Sequence, residues 1–441
     1  MYYNKGVLWA KLESTFDADA IPTAADAIEV IDPQFTPDFN RITRQIMEGH
    51  GSPKPSVIAR KLANLQFQVE VKGWGNNSSE GKLGRLLRAC WMSSSQVSAG
   101  ADDANSVWDV PIPLGATPTG KFTFTKTGTY AGAYPRRVVI RCTTPGGTGV
   151  AAFQVSSPAV GDGAGGNAAI DNSAVVMTDS VSFALAQGAA ITPTIGTSFA
   201  AGDMFVFWCV PDGFLYKPLD LGTSPETANQ SVTLYYYRDG SLHIMTGCRG
   251  SVSLDATAGE IGLLTFNFVG SYVDAQQGTF PTTNTFDTTE PPTVENAQLY
   301  LPILKHGTAT NLGKPDTTLC VASFGFDLAN TVVPRQCVSA NEGNEGSKVS
   351  SRAPTATADP EFVAEDSHGF WKALENAYRF DMGAVIGGGT VGNAVAWITP
   401  CLQAESQPYG ERDGDLILDL SAVASRVDPN NGNDEVAIWV G

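Results

Sequence analysis

The sequence predicts a mainly β fold, and three observations carry that expectation. Turn formers are abundant, with Gly 46 and Pro 26 in 441 residues. Thr, Val, Ala and Ser crowd the text between them, a mixture that marks many short strands and loops. Hydrophobic residues make up 42% and charged residues 17%, the balance of a chain with large packed surfaces and not of a disordered one. Period-2 alternation recurs, most clearly in LANLQFQVEVKGWG (62–75). There Leu65, Phe67, Val69 and Val71 fall on one face and Gln66, Gln68, Glu70 and Lys72 on the other, as in a half-buried strand.

Taken in order, GVLWAKLEST (6–15) reads as a strand, and IEVIDPQFTPDFNRITRQIM (28–47) alternates through Phe39, Ile42 and Ile46. EGHGSPKPS (48–56) is dense in Gly, Pro and Ser and reads as a long loop. GKLGRLLRACWM (81–92) changes period: Leu83, Leu86, Leu87 and Cys90 or Trp91 stand at helical spacing, a short helix laid on a sheet. From 111 to 224 short β segments such as KFTFTKTG, SAVVMTDSVSFAL and DMFVFWCV alternate with Gly-rich turns. Pro111 and Pro113 open this stretch and Ser224-Pro225 closes it. It reads as an inserted β-sandwich whose ends lie close together. SVTLYYYRDGSLHIMTGCRG (231–250) turns at Arg238-Asp239-Gly240, and SVSLDATAGEIGLLTFNFVGSY (251–272) turns near Ala258-Gly259-Glu260, so both are hairpins.

After a Thr/Pro-rich linker, GTFPTTNTFDTTEPPT (278–293), the order of elements repeats. ENAQLYLPILK is a strand, and ASFGFDLANTVVPRQCVSA (322–340) takes the place of 28–47. NEGNEGSK takes that of 48–56, and GFWKALENAYRF (369–380) that of the short helix. Equivalent points are offset by roughly 290 residues before the insert and roughly 150 after it, a difference about as long as the insert, as a duplication requires. The expected organisation is a first half over 1–110 and 225–290, interrupted by 111–224, and a second half over 291–441.

The residue chemistry argues against an enzyme. His50, His243, His306 and His368 have no ligand partner at metal spacing. GDGAGG (161–166) and IGGGTVG (386–392) lack the strand–loop–helix setting and Lys-Ser/Thr ending of a phosphate loop. The carboxylate pairs Asp102-Asp103, Glu365-Asp366 and Asp434-Glu435 have no cleft signature around them. The acidic loops near 161, 341–345 and 428–435 lack the calcium-loop pattern. No cofactor is expected. A net charge of −17 repels nucleic acid, and no Lys/Arg run exceeds a pair such as Arg136-Arg137 or Arg60-Lys61. Sequence-specific DNA binding is therefore excluded, while an acidic wall past which DNA slides is compatible. The opening MYYNKGVLWAKLESTF lacks the apolar run of a secretory signal, and no run is long enough to span a membrane. Seven scattered cysteines without a C-x-x-C read as free thiols of a reducing cytoplasm.

FTPDFNRITRQIMEGHGSPKPSVIARKLANLQFQVEVKGWG, LGRLLRACWM and the paired hairpins of 231–272 together resemble the tail tube proteins of long non-contractile-tailed (siphovirus-type) phages. The resemblance covers 1–110 and 225–441. It implies β-sandwich halves, each with a helix, assembled into rings with a continuous inner β-barrel that stack into a DNA-conducting tube. Segments 36–60 and 326–352 then hold the position of the long loop that reaches an adjacent ring. Asp38, Asn40, Arg41, Arg44, Asp327, Asn330 and Arg335 are its candidate inter-ring or inter-subunit contacts. Glu70 and Asp419 are candidate lumen-facing acids. A duplicated chain implies a trimeric ring with pseudo-sixfold symmetry, a hexamer being the alternative.

The insert resembles the immunoglobulin-like domains of phage structural proteins. It would decorate the outside, either contacting a cell surface or glycan or serving as a spacer. The implied partners are further copies of the chain, tape measure, tail terminator and distal tail proteins, and DNA in transit without specific binding. The implied place is the virion tail, assembled in the host bacterial cytoplasm. A receptor-binding β-sandwich protein and a glycan hydrolase are the rival readings.

Overall fold

The structure is a computed structural model. It describes residues 5–44, 54–74, 79–97, 110–112, 122–126, 134–147, 150–157, 170–175, 178–184, 190–195, 199–201, 203–224, 226–295, 297–301, 319–340, 343–363, 369–387, 392–427 and 432–441, with a few isolated positions between them. Strand accounts for 57% and helix for 6%; the fold is mainly β, built of large antiparallel sheets.

The first half opens with β1 (Gly6–Leu12), β2 (Ala27–Ile28), β3 (Ile31–Ile42) and β4 (Val57–Glu70), then α1 (Lys82–Ala89) and β5 (Met92–Val97). β4 alternates as its sequence does, with Leu65 and Phe67 fully buried and Gln66 exposed. α1 buries Leu83, Leu86 and Leu87, the apolar stripe of a helix lying on a sheet.

Next come β6 (Val110–Ile112), β7 (Phe122–Lys126), β8 (Arg136–Thr144), β9 (Ala152–Ser157), β10 (Ile170–Val175), β11 (Phe183–Ala184), β12 (Ala190–Ile195) and β13 (Met204–Cys209). They form a five-stranded sheet, β10-β9-β8-β13-β6, and a three-stranded one, β11-β12-β7. Between the sheets lies a separate core that includes Ile140, Phe153, Phe205 and Phe207.

The insert ends earlier than the Ser224-Pro225 turn suggests. β14 (Gly213–Pro218) pairs with β5 from Gly213↔Val97 to Pro218↔Met92, so the two crossing segments are zipped into the large sheet at the insert's root. Two further contacts fix it there. Arg137 on β8 makes a bidentate ion pair with Asp381, Nε to Oδ2 and Nη2 to Oδ1 both at 2.6 Å, and both side chains are buried. Trp208 meets Tyr300 edge to face at 4.9 Å.

The first half resumes with β15 (Val232–Arg238), β16 (Ser241–Thr257) and β17 (Leu263–Gln277). The second half holds β18 (Gln298–Tyr300), β19 (Val321–Asp327), β20 (Asn330–Gln336), β21 (Asn344–Arg352), β22 (Thr355–Pro360), α2 (Phe370–Glu375), β23 (Arg379–Ile386), β24 (Val395–Ser406), β25 (Tyr409–Arg412), β26 (Asp415–Leu418), β27 (Leu420–Ala424) and β28 (Ala437–Val440).

The halves follow the same strand path. One runs β1-β15-β16-β17-β4-β3; the other runs β18-β23-β24-β27-β22-β19, with β28 alongside the start of β24. Phe35, Arg44 and Gln45 stand 291 residues before Phe326, Arg335 and Gln336. After the insert, the bulge at Val232 and Cys248 recurs at Phe380 and Leu402, 148 and 154 residues on. The β23–β24 turn is longer than the β15–β16 turn, hence the second value. A single large core spans both halves, from Leu65, Phe67, Phe266 and Phe268 to Phe326, Trp397 and Leu402. Each fully buried side chain of this size stabilises the fold by about 1.5–3 kcal/mol.

Arg137→Ala leaves the Asp381 carboxylate buried without its partner, which is expected to cost about 3–5 kcal/mol. Urea unfolding of the purified protein measures it, and a loss below about 1 kcal/mol would show that the pair does not anchor the insert.

Candidate assembly interface

The halves meet along the β16–β19 seam and, at the root of the insert, through the pairing of β28 with β14. β16 is long enough to pair with β15 over its first part and, on the same side, with β19 over its last. The seam registers Ser253↔Asp327, Asp255↔Gly325 and Thr257↔Ser323, and it is extended by Leu328 N–H donating to Val252 O at 3.0 Å.

The β20–β21 hairpin then folds back over β16 and β17. Asn330 N–H donates to Ser251 Oγ at 3.0 Å. Its side-chain amide donates to Cys90 O, at the end of α1, and to Gly250 O. Ser347 Oγ donates toward Gly247 O and Val269 O, and Asn344 Nδ2 donates to Ser271 Oγ. Arg249, wholly buried, lies between the Phe16 and Trp91 rings at 4.5 Å from each and donates to Gln230 O and Ser347 O. Burial brings its guanidinium down to about 10.

Beside it, Glu13 accepts from Asp17 N–H, Ser231 Oγ, Thr233 Oγ1 and Gly247 N–H. Desolvation still pushes its carboxyl above the ordinary range. Asp17 is raised for the same reason, against donors that include Thr246. It lines a polar cavity of about 450 Å³ with Asp19, Asn344 and Glu345.

The β3–β4 hairpin is the counterpart of β19–β22 with β20–β21, and it is not a loop over 36–60: strands continue to Ile42 and from Val57. Its distal part is exposed on both faces. Asp38, Asn40, Arg41 and Arg44 are all exposed there, as are Ile42, Ile46, Met47, Val57 and Ile58. The other three candidate contact residues are engaged within the chain. Asp327 Oδ1 accepts from Ala329 N–H, Asn330 stitches the seam, and Arg335 pairs with Glu226 at 2.8 Å and Glu345 at 3.3 Å. The tip of that second hairpin also carries a fully exposed apolar residue, Val338.

The face of the joined sheet opposite the core is polar. One row across the strands reads Glu70, Leu263, Asp255, Gly325, Thr357 and Ser421; the next reads Gln68, Thr265, Ser253, Asp327, Thr355 and Val423. As far as β27 neither row contains a Lys or Arg; the second continues through Gln403 to the exposed Arg379 on β23. Asp255, absent from the sequence-derived candidates, shares the row of Glu70, with Leu263 between them. Its signal was the alternation of 251–257, in which Val252, Leu254 and Ala256 are buried. Asp419 is not in these rows; it is exposed beside β26, its N–H bonded to Pro408 O.

Among the described residues no cluster of three His, Cys, Asp or Glu fits a metal, and no helix is long and apolar enough to cross a membrane. All seven cysteines are free. His243 is half-buried with its ring stacked on Phe35 at 4.5 Å. His50, His306, His368, Asp102-Asp103, Glu365-Asp366, the 161–166 string and parts of 341–345, 386–392 and 428–435 lie outside the described residues. Neither protein-family models nor curated proteins give a match to this chain.

Because Asp17 holds its proton more tightly folded than unfolded, its ionisation costs stability as pH rises through its raised value. Asp17→Asn removes that cost. The stability of this variant relative to the native protein is therefore expected to fall as pH is lowered from 7 toward the ordinary carboxylate range of about 4. Urea unfolding at several pH values reads the difference; a pH-independent difference contradicts the assignment.

Proposed function

We propose that copies of this chain join edge to edge into closed rings that stack as the tube of a long, non-contractile phage tail, with the genome passing through the lumen. The observation that carries the reading is the β16–β19 seam. It joins one half to the next head to tail, β16 of the first to β19 of the second. The equivalent junction needs β3 on one side and, 154 residues beyond 253–257, residues 407–411 on the other. β3 has β4 as its one ladder neighbour among the described residues, and β25 has β26. Both outer edges are thus open, and Pro33 and Pro37 lie on β3, the kind of strand where a missing N–H is tolerated. A repeated heterologous contact closes into a ring or runs on as a filament; three copies supply six halves.

The polar face supports the lumen assignment. A wall mostly of hydroxyls, amides and a few carboxylates, without cations from β4 to β27, gives a polyanion little to bind. The exposed apolar tips of the two hairpins suit contact with a further ring.

Negative-stain electron microscopy of the purified protein across a concentration series tests the proposal. Rings or hollow tubes of even diameter are expected, with threefold class averages. Compact, unstacked particles at every concentration would favour a receptor-binding module instead. Glu70→Lys combined with Asp255→Lys is expected to leave tube assembly intact and to slow DNA release from particles carrying it; unchanged release would remove these residues from the lumen.

A further inference from the structure

We infer that the distal β3–β4 hairpin of one copy seats on the end of α2 and the last residues of β24 of a second copy, where Arg41 and Arg44 meet Glu375 and Glu405. The inference rests on the ring reading and names the surfaces that would make the contact.

The chain supplies its own template. In the first half, the end of α1 and the 247–252 stretch of β16 are covered by the β20–β21 hairpin, through Asn330 to Cys90 O, Gly250 O and Ser251 Oγ. Cys90, Trp91, Arg249 and Val252 are buried beneath it or beside it. In the second half no hairpin covers the corresponding surface among the described residues, although Gln403 Nε2 donates to Ala377 O there. Asn376 and Ala377, at the end of α2, are exposed, and so are Glu405 and Ser406, 154 residues beyond Ser251 and Val252. The covering element for this site is equally idle. The β3–β4 hairpin, 291 residues before β19–β22 with β20–β21, is exposed on both faces at its distal end. One seat lacks a hairpin and one hairpin lacks a seat.

Charge sorts the pair in the same direction. Arg335, counterpart of Arg44, is neutralised inside the chain by Glu226 and Glu345. Arg41 and Arg44 are exposed and show no ion pair among the described residues, while Glu375 and Glu405 are exposed and equally unpaired. In a chain of net charge −17, exposed arginines that form no ion pair among the described residues, with Asp38 exposed on the same strand, are most economically matched to an acidic surface on another copy.

Sedimentation of the full-length protein across a concentration series, at low and high salt, tests the contact in three variants: R41E/R44E, E375R/E405R, and the four changes combined. Each reversal is expected to raise the concentration for half-association about tenfold or more. The combined variant is expected to return it to within about threefold of the native value. All four residues are exposed, so the thermal midpoints should match the native protein. Unchanged association in either reversal, or no recovery in the combined variant, overturns the contact. Association that ignores the reversals overturns only this contact; a native protein monomeric at every concentration overturns the ring reading beneath it.

Discussion

Everything in this fold depends on β16 having more length than one neighbour can use. Its backbone donors and acceptors must be paired once buried, and β15 covers only the first part of one side. The remaining five residues take β19, and with that ladder the second half is fixed against the first. The β20–β21 hairpin then has a defined place to fold back, and a single core forms across both halves.

Two buried ionic arrangements set the positions that ladders leave open. Glu13 and Arg249 sit under the β20–β21 hairpin, each with several hydrogen bonds, and desolvation disfavours the charged form of both. Breaking such an arrangement is expensive because it strands a charge, so the hairpin has little freedom to slide. Arg137 and Asp381 do the same at the root of the insert. There the fork geometry of the guanidinium adds direction to the attraction.

Local periodicity was legible wherever one face is buried. β4 and α1 follow their sequence patterns closely, and the Asp239-Gly240 turn lies between β15 and β16. The end of the insert was not legible. GFLYKP of β14 carries no signal that distinguishes it from the preceding strands, and its partners, Met92–Val97 and Ala437–Val440, are far away in sequence. The Pro225 turn is a stronger local mark but a less important one. Gly, Pro and Ser marked only 48–56 as loop, and the family resemblance extended the loop position to 36–60, whereas the ladder with β4 keeps β3 extended to Ile42 and β4 from Val57.

The sequence by itself determined which segments are strands and which way their faces point, since these follow from side-chain period and turn chemistry within a few residues. It also carried the repeat, through spacing and residues such as Phe35 and Phe326. Tertiary structure alone decided which edges are paired. Arg44 and Arg335 occupy corresponding places in the two halves, yet one is exposed and the other is held by Glu226 from a segment more than a hundred residues earlier. Strand pairing and charge pairing are properties of what comes near in space, and no local pattern in either arginine's neighbourhood records it.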